Sequence, residues 1–267
     1  MTDARVQAWL AVRDPLERQL APIGQAVIDR LTLRPGEHVL DLGCGIARTT
    51  ETLARIVGPG GRVTGVDILP AAIEVRVPET AHLRHVDHVI GDAQTLVFED
   101  SYDAVFSRFG VMFFADPVAA FANIRMALRP AGRFGFVCWR TLADNELDSF
   151  PLRAAAPCLP GELVADAERA EHFSFADPAF LSGTLEAAGF VRVTVAPVDI
   201  ATCAGSLTDT VDLCLRFGSL GKIVRDHPGY RADAQTLLEA AFRARYGSAD
   251  PVLRAATWIV QATTSPR

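Results

Sequence analysis

The sequence predicts an α/β protein whose mostly parallel sheet is covered by helices on both faces, and three observations carry that expectation. From His38 onward, short runs rich in Val, Leu and Ile alternate with segments of helical period. Strands separated by helices require crossover connections, which are right-handed and place helices over a parallel sheet. The 267 residues, 49% hydrophobic and 22% charged, can bury a large core at ordinary soluble composition.

The elements follow in chain order. The first 35 residues read as helical: in "RDPLERQL", Asp14 suits an N-cap, Pro15 the first helical position and Glu17 the third. Leu16, Leu20, Ile23, Val27 and Leu31 continue a stripe, which Pro22 should kink or break. After the turn "LRPGEH", "HVLDL" is a buried strand, residues 47–57 a helix stopped by "GPGG", and "RVTGVD" a second strand. "DHVIGD" and "YDAVFSR" are the third and fourth strands, 116–128 a capped helix, and 132–139 a fifth strand. Residues 140–175 contain prolines and little periodicity and read as an insertion; 177–190 restores a helix, followed by the strand "VRVTVAPV". Residues 205–248 read as helices and "RAATWIVQAT" as the last strand. The organisation expected is one domain over 1–267: N-terminal helices 1–35, a core 36–140, cover insertions 141–175 and 203–250, and a last strand 252–264.

Several function classes are disfavoured. A net charge of −6 offers no basic surface to neutralise a phosphate backbone, so a nucleic-acid partner is not expected. Charges throughout the N-terminus argue against a secretion signal. The longest apolar candidate for a membrane span, 109–122, is broken by Asp116 and Pro117. Five cysteines without a C-x-x-C pair fit reduced thiols in a cytoplasmic protein. His82, His85 and His88 recur every three residues, but His88 should enter a strand, and no metal is expected.

The stretch "LDLGCGIARTT" holds the chemistry. A glycine-rich turn between a first strand and a helix presents backbone N–H groups and a helix N-terminus to a ligand. Counting from Gly43, the third glycine of a dinucleotide fingerprint would fall at Arg48; the third small residue comes early, at Ala47. Asp41, two residues before Gly43, would repel a pyrophosphate but suit a cation. An adenosine-like ligand without phosphates and with positive charge meets both demands, as S-adenosylmethionine does. Asp67, at the tip of the second strand, can accept bonds from both ribose hydroxyls. Asp92 and Ala93 end the third strand, where an adenine amino group needs an acceptor, and Ile68 can lie on the adenine face.

The stretch "VLDLGCGIARTT…GRVTGVDI…IGDAQTL…YDAVFSRFGVMFFADPVAAFANIRMALRPAGRFGFVCWR" resembles the class I S-adenosylmethionine-dependent methyltransferases, especially the bacterial small-molecule branch related to ubiquinone and menaquinone methyltransferases. The resemblance covers about residues 36–140 strongly and the remainder loosely. It implies a Rossmann-like, doubly wound sheet of seven strands with the last strand antiparallel, and S-adenosyl-L-methionine as cofactor, leaving S-adenosyl-L-homocysteine. Asp41, Gly43 and Gly45, with Cys44 between them, would line the methionine part, Asp67 the ribose, and Asp92 with Ala93 the adenine. "SRFGVMFF" would face both cofactor and substrate, placing Ser107 and Phe109 on the cofactor and Phe109, Met112 and Phe113 on the acceptor. Phe109, Met112 and Phe113 can equally be core.

Arg108 and Arg140, at strand ends, could orient an acidic acceptor, meet the cofactor carboxylate or simply be solvated. His172 and His227 lie in the cover and are the candidate bases, or else polar surface residues. Methyl transfer by in-line displacement needs mainly positioning and exclusion of water. The apolar insertions suggest a small, largely apolar acceptor. The rival readings are an NAD(P)-dependent oxidoreductase, a binding or regulatory protein on the same fold, and an enzyme using the sulfonium for a non-methylating reaction such as a cyclisation.

Overall fold

The computed structural model describes residues 4–46, 48–98 and 101–266. Helices α1 (Ala4–Leu10) and α2 (Arg13–Leu31) precede strand β1 (His38–Leu42), α3 (Thr49–Val57), β2 (Arg62–Asp67), α4 (Pro70–Thr80) and β3 (Val86–Ile90). Then come β4 (Tyr102–Arg108), α5 (Pro117–Ala127), β5 (Leu128–Trp139), α6 (Glu146–Ala155), α7 (Gly161–Asp166), α8 (Pro178–Ala187) and β6 (Val191–Cys203). The chain closes with α9 (Leu207–Cys214), α10 (Gly218–Asp226), α11 (Arg231–Tyr246) and β7 (Val252–Thr263).

The seven strands form one sheet in the order β3-β2-β1-β4-β5-β7-β6. The pairs β1–β2, β1–β4, β2–β3 and β4–β5 are parallel. β7 runs the other way: Gly132 meets Thr264 while Arg140 meets Ala256, a descending register. The α/β expectation therefore holds, last strand included. Because β1 is followed by β2 on one side and has β4 on the other, the strand order reverses between β1 and β4. Crevices at such reversals are where open α/β sheets take ligands.

The described residues group into two compact units. The second comprises the described parts of Ile23–Cys138, Phe175–Pro197 and Trp258–Arg267. It holds β1 to β4; Val39, Leu40, Val63, Ala104 and Val105 of β1, β2 and β4 are buried, as strands covered on both faces require, while edge strand β3 stays half-exposed. Phe121 of α5 centres an aromatic cluster there, stacked on Phe136 and Phe175 at 5.8 and 5.7 Å between ring centroids. The first unit comprises the described parts of Met1–Pro22, Trp139–Ser174 and Val198–Thr257. The cover segments expected from the sequence fall mostly into it. In it Phe150 of α6 meets Phe242 of α11 at 5.0 Å, with the Arg245 guanidinium over the Phe150 ring.

Three local expectations need correction. α2 starts at Arg13, so Asp14 lies inside the first turn rather than at the N-cap. It also runs through Pro22 unbroken. A proline inside a helix costs roughly 3 kcal/mol, but Leu20, Ile23, Val27, Ile28 and Leu31 are all buried on one stripe, and that burial offsets the loss. Residues 140–175 are not irregular throughout: α6 forms there despite Pro151, with Leu152 and Ala155 buried.

Candidate functional site

The loops after β1, β2, β3 and β4 are bolted together within the second unit. The amides of Gly43 and Cys44 donate to the Val66 carbonyl at 2.8 and 3.1 Å. Gly45 N–H donates to Asp67 Oδ2 at 2.8 Å, and Gly91 N–H donates to the Asp67 carbonyl at 3.0 Å. Ser107 Oγ donates to the Leu42 carbonyl at 2.8 Å, tying the end of β4 to the end of β1. Gly43 (φ +67°) and Gly110 touch across the strand-order reversal: a Cβ on Gly43 would lie 2.8 Å from the Gly110 Cα. Backbone approaches that closely only where both residues lack side chains.

Each acid has its own surroundings. Asp41 is buried, and its Oδ2 accepts from Thr49 Oγ1 at 2.9 Å and Thr50 Oγ1 at 2.8 Å. Those threonines open α3, so Asp41 anchors the helix that the glycine turn leads into. Loss of water pushes its carboxyl up to about 6, against the two threonine bonds and the nearby Arg108 and Arg76 cations. Asp67 is also raised by burial, opposed by the amides of Leu69, Gly45 and Ile68. Its Oδ1 accepts from Leu69 N–H at 2.9 Å, and a carboxylate with one bond on each oxygen keeps two further lone-pair sites. Asp92, half-buried, accepts from Gln94 N–H at 2.9 Å; Gln94 in turn accepts from Asp116 N–H at 3.0 Å. Asp116 caps α5, and Asn123 Nδ2 holds the Ala93 carbonyl at 2.9 Å. The loop after β3 is thereby braced against α5.

The remaining expected residues divide. Cys44 is buried, its sulfur close behind Gly65, so it can offer a ligand only its backbone. Burial, with Asp41 and Asp67 near, raises its thiol well above the ordinary range. Ile68, beside Asp67, is 61% exposed, an apolar side chain left to water at the tip of β2. Phe109 takes a left-handed backbone (φ +61°) next to Gly110. A single turn of 3-10 helix, Val111–Phe113, then sends Met112 into the core and leaves Phe113 exposed. Arg108 lies against Gly24 of α2. The third small position, Ala47, lies outside the described residues.

Arg140, His172 and His227 belong to the first unit. Arg140 is ion-paired with Asp144 and Asp199 at 3.1 and 3.0 Å. His172 Nε2 lies 3.0 Å from Asp148 Oδ2 and 3.5 Å from Ser219 Oγ, while Asp148 Oδ1 accepts from Ser219 N–H at 2.7 Å. His227 is exposed at the end of α10. His85 and His88 turn to separate partners, the Ala54 carbonyl and Thr80 Oγ1. Among the described residues no group of three or more His, Cys, Asp or Glu could hold a metal ion.

Sequence reasoning missed Gly110, Thr49 with Thr50, and Arg76. The last is wholly buried on α4 and ion-paired with Glu51 and Glu79. "SRFG", a glycine two residues past a strand end, was the readable sign of the close approach.

A parallel sheet reversing between β1 and β4, with a glycine turn and acids on its carboxyl edge, defines an α/β enzyme scaffold for an adenosine-type ligand. Residues 40–136 match the family described as "Methyltransferase domain". Demethylmenaquinone methyltransferase of Staphylococcus aureus is 31% identical over 181 residues, 63% of this chain and 74% of that protein. An uncharacterised 37.1 kDa protein in a Streptomyces fradiae transposon is 42% identical over 108 residues, 40% of this chain and 31% of that protein's length. Among solved structures, phosphoethanolamine N-methyltransferase 2 of Haemonchus contortus shares the fold at a TM-score of 0.58 and 18% identity, over 92% of this chain and 53% of its own. The chain belongs to the class I S-adenosylmethionine-dependent methyltransferases and resembles their quinone-methylating members.

Proposed function

We propose that this protein transfers the methyl group of S-adenosylmethionine to a small, largely apolar organic acceptor, and that positioning rather than bond-making by the protein drives the step. The observation that carries the reading is the junction of the β1 and β4 loops, where Gly43 and Gly110 pack too closely for either to carry a Cβ and Asp67 Oδ2 accepts from the Gly45 N–H of the same turn. The residues there fit the cofactor. Asp67 has lone pairs left for ribose hydroxyls, and exposed Ile68 offers an apolar surface to adenine. Asp92 and Ala93 sit on a braced loop. Gly43, Cys44 and Gly45 present backbone to the methionine part, with Asp41 behind them; Ser107 and Phe109 close the other wall.

When bound, the cofactor supplies an electrophilic methyl group on a sulfonium. The chain's own task is to hold the sulfonium's adenosine still, keep water out and receive the acceptor. Phe109 and exposed Phe113, on either side of Gly110 in the loop after β4, would offer the acceptor apolar contacts. His172, fixed by Asp148, is a better-oriented candidate base than exposed His227 where a proton must leave the acceptor. Arg140, engaged by two carboxylates, would act through them. The Staphylococcus relative's named acceptor, demethylmenaquinone, supports an apolar acceptor here.

The test is incubation with S-adenosylmethionine and a panel of quinols and other apolar acceptors, with products read by mass. Gain of one CH2 accompanied by S-adenosylhomocysteine supports the proposal. A product of unchanged mass would point to a non-methylating reaction, and cofactor binding with no turnover to a binding protein. Thermal stabilisation by NADH and not by S-adenosylmethionine would restore the oxidoreductase reading.

A further inference from the structure

We propose a second binding site in the second unit, a cleft for a phosphoryl group near the amino-terminal end of the parallel strands. The cleft has a volume of about 300 Å³, at the small end of ligand pockets. Arg30, at the end of α2, Arg133 on β5 and Arg192 on β6 all line it, over an apolar floor that includes Phe134 and Leu31. Arg133 stands beside Ala104 near the start of β4, in register with Val39 and Val63, two residues before Asp41 and four before Asp67 along the parallel strands. The chain carries a net charge of −6, so three guanidinium groups lining one cleft stand against the general trend.

The charges are incompletely spent. Arg133 Nη2 pairs with Glu37 at 2.6 Å, while its Nε is buried without a hydrogen-bond partner. Arg30 donates to the Ala26 carbonyl at 2.7 Å. Arg192 is exposed and makes no hydrogen bond or ion pair among the described residues. The lining thus includes three arginines and no acidic residue, and Glu37, outside it, pairs with Arg133. The carboxyl end of α2, whose dipole would oppose an anion, is masked: Arg30 covers the Ala26 carbonyl and Gln261 Nε2 donates to the Arg30 carbonyl at 2.9 Å.

Backbone conformation gives an independent sign. Among the described residues, four that are not glycine have positive φ, and two of them, Thr32 (+47°) and Arg192 (+53°), line this cleft. A β-branched threonine and an arginine are poorly suited to that region, and strain of this kind gathers at binding sites. Planar guanidiniums with fixed donor forks match a phosphoryl group better than a lone carboxylate of the same volume.

The test uses the full-length protein in a chloride buffer at constant ionic strength, titrated with inorganic phosphate and separately with phenyl phosphate, and read by calorimetry and melting temperature. Saturable binding is expected, undiminished by saturating S-adenosylhomocysteine. Arg192→Gly should weaken it at least tenfold while melting no lower than the parent, because glycine accepts φ +53° without strain. Arg30→Gln, at an exposed position, should weaken it several-fold and serves if the first variant misfolds. Phenyl phosphate binding at least tenfold tighter identifies an organic phosphate as the ligand type; equal affinities identify free phosphate. No saturable binding of either probe, binding unchanged in both variants, or displacement by S-adenosylhomocysteine overturns the proposal.

Discussion

Replacing Asp41 by asparagine should stabilise the protein without ligand while weakening its hold on the cofactor. The carboxyl is raised from its ordinary 3.8 to about 6, chiefly because burial removes water from the charged form. At about 1.4 kcal/mol per pH unit, that difference is roughly 3 kcal/mol against the ionised form. The folded chain holds the Asp41 proton more tightly than the unfolded chain does. Stability therefore falls as pH rises from 3.8 to 6, and the full cost stands above 6. Asparagine cannot ionise, and its single carbonyl oxygen can accept from both Thr49 and Thr50 as Oδ2 does now. Urea unfolding at about pH 7.5 should show Asp41→Asn more stable by about 1–3 kcal/mol. The gap should close as pH falls toward about 4, where the native carboxyl carries its proton. A variant less stable than the parent at about pH 7.5, by an amount that does not change with pH, would refute the claim that this carboxylate is strained by burial.

Other consequences can be checked as directly. Asp67→Ala should weaken S-adenosylmethionine binding by roughly 1–3 kcal/mol through lost ribose hydrogen bonds, measured by calorimetry on the folded variant; an unchanged affinity would mean that the ribose lies elsewhere. Gly43→Ala must accommodate a Cβ 2.8 Å from the Gly110 Cα at φ +67°, with backbone on the other side and nothing flexible to yield. It should lose cofactor binding and lower the melting temperature, and parental behaviour in both would dissolve the loop junction. Arg76→Met removes the buried partner of Glu51 and should cost about 3–5 kcal/mol in denaturant unfolding. Arg76→Met with Glu51→Gln should recover much of that loss if an unpaired carboxylate is its cause.

The parts of this fold readable from sequence are those fixed by local rules. Strand β4 was legible to the residue because "YDAVFSR" is a buried apolar run with polar flanks. Asp116 was legible as a cap because an acid before proline leaves few other backbone roles; Asp177, which caps α8 in the same way, was not singled out. Of the kink or break expected at Pro22, the break does not occur, because the local cost is offset by the burial on either side of it. In the candidate site, spacing singles out Asp41, Asp67 and the glycines, and the structure gathers them at one edge of the sheet. What spacing could not tell is that Asp41 faces Thr49 and Thr50, since nothing in a sequence shows whether an acid is solvated. Met112 and Phe113 were indistinguishable as letters; a single 3-10 turn buries one and exposes the other. Arg76 reads as an ordinary surface residue of an amphipathic helix until Glu51 of α3 is seen to meet it.

The charge state of the acids beside the glycine turn bears on the choice of ligand. Asp41 and Asp67 are both raised by loss of water, and Gly45 N–H bonds directly to the second of them. A pyrophosphate brought to that turn would add like charge to carboxylates already held above their ordinary range. A sulfonium with an α-ammonium group would bring back the favourable field that burial removed. On the proposed reading the glycine turn would discriminate by the sign of charge, where a dinucleotide turn offers amide donors and a helix N-terminus to an anion. This has a thermodynamic signature. Below about pH 6 a sizeable fraction of Asp41 carries a proton in the free protein. A cationic ligand that favours the carboxylate must expel it, so S-adenosylmethionine binding near pH 5.5 should release a fraction of a proton, and near pH 8 close to none from this group. Calorimetry in two buffers of different ionisation enthalpy reads that release directly. Identical binding enthalpies in the two buffers near pH 5.5 would show that Asp41 does not feel the cofactor's charge, and the electrostatic account of this turn would have to be abandoned.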